Sequence, residues 1–185
     1  MRKVIAFCGY QSSGKSYSAK RLMMTMGFIK TSFAEMLRHI TADIAQISYE
    51  DLLKNYDKFK KEDIFPNYTG RKLMENIGAS VRKYDPDFWA KGVLKFIKET
   101  PKNVCIDDLR YSNEYRVLKN YCDKNNIEFK LVFCDYHSED YEDSNQHEST
   151  QLARYLKNLG YTDQDYVDEL DILNFELLHK KKENN

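Results

Sequence analysis

The stretch KVIAFCGYQSSGKSYSAKRLMMTMG, Lys3 to Gly27, decides how the rest of the chain is read. Its first residues, KVIAFC, form a short apolar run rich in β-formers and bounded by Gly9, the pattern of a strand buried on both faces in a parallel sheet. From Lys15 onward Ala19, Leu22, Met23 and Met26 fall on one helical face, and Gly27 marks the helix end. Between strand and helix, Gly9 to Ser16 fit the spacing G-x-x-x-x-G-K-[ST]. The glycines let the backbone wrap closely, so that successive N–H groups point at phosphate oxygens, and the helix start adds a favourable dipole. Lys15 reaches the outer phosphates of a polyphosphate and Ser16 is placed to ligate Mg²⁺. A plain glycine turn would not need all of these features together.

Outward from this loop, strands and helices alternate. FIKTSF (28–33) reads as a second strand and Ala34 to Ile47 as a second helix. Residues 49–62 are charged and tyrosine-rich with helical spacing, FPNYTG (65–70) interrupts, and Arg71 to Tyr84 is amphipathic again. Asp85 and Pro86 open a helix carrying Phe88, Trp89, Val93, Leu94 and Phe96. NVCID (103–107) is a strand, Ser112 to Lys124 a helix and EFKLVFC (128–134) a strand. The acidic DYHSEDYEDSNQHE (135–148) looks like a mobile loop before STQLARYLKNLG (149–160) returns to helix. Such alternation predicts an α/β fold, a parallel sheet covered on both faces by helices.

A chain of 185 residues with 42% hydrophobic side chains suffices for one domain with one sizeable core. Lys plus Arg and Asp plus Glu both number 29, so net charge argues for neither a nucleic acid polymer nor a membrane as main partner; any anion site is local. Cys8, Cys105, Cys122 and Cys134 include no Cys-x-x-Cys pair, and three sit in apolar runs, which predicts reduced core thiols. No apolar stretch approaches the roughly 18 residues of a membrane span, and the apolar part of MRKVIAFC is too short for a signal peptide. A cytoplasmic protein is expected, with the polar end HKKKENN frayed.

A second phosphate-side element is VCIDDLRYSNE (104–114). An apolar strand ending in acids puts Asp107 or Asp108 at the carboxyl edge of the sheet, where ligands bind and where an acid can hold Mg²⁺ through water. Arg110 would stand beside it as an anion clamp. The plainer reading makes Asp108 and Arg110 a surface ion pair, with Asn113 and Glu114 opening a solvated helix. A switch GTPase would need an Asn-Lys-x-Asp segment after a late strand, and the chain has none.

Four blocks, GYQSSGKS (9–16), TSFAEMLR (31–38), GRKLMENIGASVRKYDPDFWAKGVLKFI (70–97) and IDDLRYSNE (106–114), together resemble the deoxynucleoside monophosphate kinases encoded by bacteriophages and other large DNA viruses. In that family the second block reads Ser-Phe-Ala-Asp followed by Leu-Lys; here Ser32, Phe33, Ala34, Glu35, Leu37 and Arg38 stand there. The third places Arg71, Leu73, Met74, Glu75, Gly78, Arg82 and Trp89 on the family's Arg, Leu-Leu-Gln, Gly, Arg and Trp positions. The fourth, Asp-x-Arg-x-x-Asn-Glu, is met by Asp108, Arg110, Asn113 and Glu114. The likeness covers about the first 115 residues. The family's His-x-Ser-Glu lid segment is replaced by HEST (147–150), no arginine lies between 117 and 153, and Arg154 reads either as a displaced lid arginine or as a solvated helix residue.

The resemblance implies transfer of the ATP γ-phosphoryl group to a deoxynucleoside 5'-monophosphate in a single domain over 1–185. It implies a P-loop kinase fold with a five-stranded parallel sheet: a core of about 1–48 and 100–180, a helical acceptor region of about 49–99 and a lid of about 135–150. The implied ATP site comprises Gly9, Gln11, Ser12, Ser13, Gly14, Lys15, Ser16 and Tyr17; the catalytic set is Lys15, Asp108, Arg110 and Glu114. Ser16 and Asp108 would hold Mg²⁺, so Asp108→Asn is expected to cost more activity than Asp107→Asn. Phe33, Arg38, Arg71, Arg82, Trp89, Arg110 and Glu114 would bind the acceptor. Trp89 reads from the residues alone as core or base platform, and Arg82 as acceptor ligand or C-terminal dipole partner. The chemistry agrees with the family reading: two phosphorylated substrates brought together need cations, which Lys15, Mg²⁺, Arg71, Arg82 and Arg110 can supply. Another small-acceptor P-loop kinase, for dephospho-coenzyme A or phosphomevalonate, and a non-catalytic nucleotide-binding protein are the alternatives. Base preference and the choice between monomer and homodimer stay open.

Overall fold

Val4 to Cys8 are buried without a break in β1 (Lys3–Gly9), as befits a strand with neighbours on both edges and cover on both faces. In the computed structural model, which describes residues 1–135, 150–163 and 165–167, β1 is parallel to both β5 (Val104–Leu109) and β6 (Glu128–Cys134). Outside β5 lies β2 (Ile29–Thr31), also parallel, giving the order β2-β5-β1-β6. The protein is therefore α/β, with a parallel sheet of four strands flanked by helices. A fifth parallel strand is not found among the described residues. Beside β6 stands the two-residue β7 (Tyr166–Val167), which pairs antiparallel.

α1 (Lys15–Met26) buries Ala19 against Ile5, Phe7, Phe28, Cys105, Val132 and Cys134, with Leu22 packed at the margin. It stops where the sequence places the stop: Gly27 takes φ 67°, and its N–H reaches back to the Leu22 carbonyl. α7 (Ser112–Lys124) buries Tyr115, Leu118 and Cys122, and Tyr115 meets Phe129 of β6 edge-on at 5.5 Å. α8 (Gln151–Asn158) buries Leu152, Ala153 and Leu156. All four cysteines are free and buried. Among the described residues no helix is long and apolar enough to cross a membrane.

The chain divides into two compact units, one formed by Met1–Ser32 with the described residues from Val93 on, the other by Phe33–Gly92. The second unit starts earlier than the helical region expected at about 49. Its core explains why: Leu37, Ala42 and Ala45, contributed by α2 (Ala34–Ile44) and its C-cap, pack with Leu52, Phe59 and Met74. Burial of Leu52, Phe59 and Met74 stabilises by about 1.5–3 kcal/mol each. α2 ends three residues before the expected Ile47, because Gln46 adopts φ 56° and the N–H groups of Gln46 and Ile47 return to the carbonyls of Asp43 and Ala42. This is a Schellman closure built without glycine, which hides the stop from the sequence.

The tyrosine-rich stretch is two short helices, α3 (Tyr49–Lys54) and α4 (Tyr56–Lys61), broken at Asn55. Ser48 caps α3 by accepting from the Asp51 N–H at 3.0 Å. A small hairpin, β3 (Asp63–Phe65) with β4 (Tyr68–Thr69), runs into the FPNYTG interruption and turns through Asn67 at φ 61°. α5 (Gly70–Tyr84) follows at once, and α6 (Phe88–Glu99) begins in this unit.

Candidate functional site

Gly9 ends β1 at φ 153°, and a Cβ there would stand 2.0 Å from the Cys134 carbonyl oxygen and 2.6 Å from Ser13 Oγ. Only glycine lets the chain pass β6 this closely. Ser12 (φ 61°) and Gly14 (φ 88°) then turn the backbone through the left-handed region into α1. Gly14 is the N-cap and offers no side-chain acceptor, so no cap side chain occupies the first N–H groups of the helix. Lys15 Nζ lies back over the loop, donating to the Gly9 carbonyl at 2.8 Å, to the Tyr10 carbonyl and to Ser13 Oγ at 3.3 Å. Burial, and after it the Arg110 cation, lowers the Lys15 pKa, while Asp108 is among the groups that oppose this. Ser13 is fully buried, whereas Gln11, Ser12, Ser16 and Tyr17 lie on the exposed side of the loop and helix start.

Ser16 Oγ donates to Asp107 Oδ2 at 2.9 Å, and Lys30 Nζ donates to the same oxygen at 3.1 Å. The acid that meets Ser16 is thus Asp107, not Asp108 as the family spacing suggested. Cys105 faces α1, its thiol reaching the Ala19 carbonyl at 3.7 Å, and Asp107, two residues on, meets Ser16 at the start of that helix. Between Ile106 and Leu109 β5 takes three steps where β1, from Ala6 to Cys8, takes two, so motif spacing alone does not decide which acid reaches Ser16. Asp107 is buried and Asp108 half-buried. A hydroxyl and a carboxylate are the oxygen donors that Mg²⁺ takes, since it uses one or two protein ligands and completes its shell with water and phosphate. Among the described residues no group of three or more acids, histidines or cysteines gathers for a metal.

Glu114, expected to act on substrate, is 3% exposed. Its Oε2 accepts the N–H of Arg110 at 2.9 Å and of Tyr111 at 3.1 Å, closing the turn from β5 into α7 as the N3 glutamate of a capping box does. That oxygen fixes the backbone that carries the exposed Arg110.

The helical unit holds the other expected residues. Phe33 is buried at the start of α2. Arg38 bonds Glu35 at 2.7 Å, Tyr49 donates its hydroxyl to the other Glu35 oxygen, and His39 stacks on Tyr49 at 3.6 Å. Burial alone would raise the Glu35 pKa, but Tyr49 and Arg38 outweigh it and hold the carboxyl below its ordinary value. Neither Tyr49 nor Lys30 was found from the sequence, because their partners are set by packing between elements.

Arg71 is exposed in the first turn of α5, after the Thr69 cap that accepts from the Lys72 N–H at 3.3 Å. Arg82 lies in the last turn, its guanidinium 3.3 Å from where a Cβ on Gly78 would stand. The two share a helix face but are about 16 Å apart along the axis, at about 1.5 Å per residue. Trp89, expected at the acceptor site, is 3% exposed and lies among the core residues. Its indole N–H donates to the Gly78 carbonyl at 3.3 Å and its ring meets Phe88 edge-on at 5.0 Å.

The expected lid falls almost wholly on 136–149, outside the described residues, as does the chain end beyond 167. Arg154 is half-buried on α8 and donates to Thr150 Oγ1 at 3.0 Å. Compared with known proteins, the chain matches no protein-family model and no curated protein.

Proposed function

We propose that this protein is a P-loop kinase that transfers the γ-phosphoryl group of ATP to deoxynucleoside 5'-monophosphates. The observation that carries the reading is the contact of Ser16 with Asp107, 91 residues apart in sequence, at the mouth of a loop whose lysine and glycines already suit a polyphosphate. A hydroxyl and an acid brought together beside Lys15 form the metal side of a nucleoside triphosphate site.

On this reading Lys15 leaves the Gly9 and Tyr10 carbonyls to bind the outer phosphates, and the N–H groups of the loop and of the α1 start take the remaining oxygens. Ser16 and Asp107 would hold Mg²⁺, which when bound offsets phosphate charge. Arg110, on the turn braced by Glu114, is the cation for the charge that develops on the transferred group. Arg71, in the first turn of α5, is the first choice for the acceptor phosphate, with Arg38 held by Glu35 as a second cation of the same unit. The deoxynucleotide acceptor rests on the family resemblance of the 70–97 and 106–114 blocks. A coupled assay of ADP formation with ATP and each deoxynucleoside monophosphate tests it, with dephospho-coenzyme A and phosphomevalonate as rival acceptors. Turnover with a rival alone would replace the acceptor, and ATP binding without turnover would leave a nucleotide-binding protein.

A further inference from the structure

Lys30 stands where no phosphate-loop argument requires a lysine. It is the middle residue of β2 and registers with Cys105 of β5, so it shares the sheet face on which Cys105 meets α1 and Asp107 meets Ser16. Its ammonium lies 3.1 Å from Asp107 Oδ2, the same oxygen to which Ser16 Oγ donates at 2.9 Å. The two partners differ in freedom: the Lys30 side chain is 38% exposed and that of Asp107 only 9%. Asp107 is held within the fold, whereas Lys30 can swing its flexible stem into solvent.

A cation that enters between Ser16 and Asp107 meets an ammonium already on the carboxylate oxygen, and two positive charges so close repel. We propose that Lys30 is a tethered competitor of the divalent cation: it neutralises Asp107 while no metal is bound and must be displaced when one binds, so it sets the metal concentration that the site requires. The inference rests on the nucleotide-site reading above. It makes Lys30 a positioning residue acting through Asp107, with opposite consequences in the two states. Without metal, Lys30 shields nucleotide phosphates from the Asp107 charge; with metal, it opposes the ligand that Asp107 offers.

The test uses the full chain as wild type, Lys30→Met, Lys30→Gln and Lys30→Arg, with melting temperatures recorded for each. ADP affinity is measured by calorimetry in EDTA, and Mn²⁺ affinity of the ADP-saturated protein by electron paramagnetic resonance. For Lys30→Met and Lys30→Gln the metal-free ADP Kd should rise about fivefold while the Mn²⁺ Kd falls about fivefold, the scale of one partly exposed charge pair, with Lys30→Arg close to wild type. A general structural defect would weaken both. Unchanged or weaker Mn²⁺ binding in the two neutral variants, with wild-type ADP and Mn²⁺ binding intact, overturns the competitor role alone. Failure of wild type to bind ADP with or without Mn²⁺ overturns the nucleotide-site reading and the competitor role with it.

Discussion

At the scale of single residues, the decisive contrast is between two neighbouring aspartates. Asp107 bonds Ser16 and is buried, while Asp108 is half-buried and near enough to Lys15 to influence its charge. Asp107→Asn should therefore lower kcat by at least about tenfold more than Asp108→Asn, or about 1.4 kcal/mol in barrier, reversing the order that motif spacing alone suggests. Steady-state rates of the two variants with ATP and the best acceptor decide it, and equal losses would mean that the Ser16 contact does not mark the metal side. Lys15→Ala should reduce turnover by more than about tenfold. The retained fold is checked by circular dichroism, because Lys15 bonds loop carbonyls and adds little apolar packing. The loop lysine and its glycines were legible in the sequence, since they are contiguous. The acid was legible only to within two residues.

At the scale of elements, α5 is set by two contacts the sequence does not announce. A Cβ on Gly70 would stand 2.4 Å from both the carbonyl oxygen and the ring of Phe59, so α5 starts against α4 with no space for a methyl group. Gly70→Ala should cost about 1–3 kcal/mol through overpacking. Thermal unfolding followed by the fluorescence of Trp89, the single tryptophan, reads the loss in the unit that contains both. At the other end Arg82 lies over Gly78 in the last turn, where its charge also complements the helix dipole. Given their separation, one phosphate does not bridge Arg71 and Arg82. Arg71→Ala should raise the acceptor KM about ten- to a hundredfold with the ATP KM little changed, the worth of one charge-assisted contact. Arg82→Ala should mainly lower the melting temperature. An acceptor KM raised only by Arg82→Ala would move the acceptor phosphate to the other end of α5.

At the scale of the whole molecule, the chemistry-bearing residues are shared between the two units. Lys15, Ser16, Lys30, Asp107 and Arg110 belong to the sheet unit, and Arg38, Arg71 and Arg82 to the helical one. The thiols are not divided: Cys8, Cys105, Cys122 and Cys134 all lie on the sheet unit's β1, β5, α7 and β6, all buried. Burial pushes Cys8 and Cys122 up to about 12 and Cys105 up to about 11, so thiolate is scarce at neutral pH as well as inaccessible. A chromogenic thiol reagent at pH 8 should leave all four unreacted in the native protein and titrate all four after denaturation. One fast-reacting native thiol would show that the sheet unit opens locally.

The sequence by itself determined whatever depends on contiguous residues: the buried run of β1, the loop from Gly9 to Ser16, the stop of α1 at Gly27, and the α/β alternation that predicts a parallel sheet. Such features follow from periodicity, glycine conformations and local backbone bonds. Tertiary structure decided the rest. Which aspartate reaches Ser16 depends on which face of β5 carries α1; Lys30 reaches that acid only because β2 pairs with β5 in one register; and Trp89 is core because α6 returns its indole to Gly78. The Schellman stop at Gln46 and the capping role of Glu114 escaped for a related reason: a glutamine can adopt the left-handed turn, and a glutamate can serve backbone or ligand. A local pattern names the residues available for a contact, but side chains distant in sequence acquire partners only when strands and helices fix their register and facing.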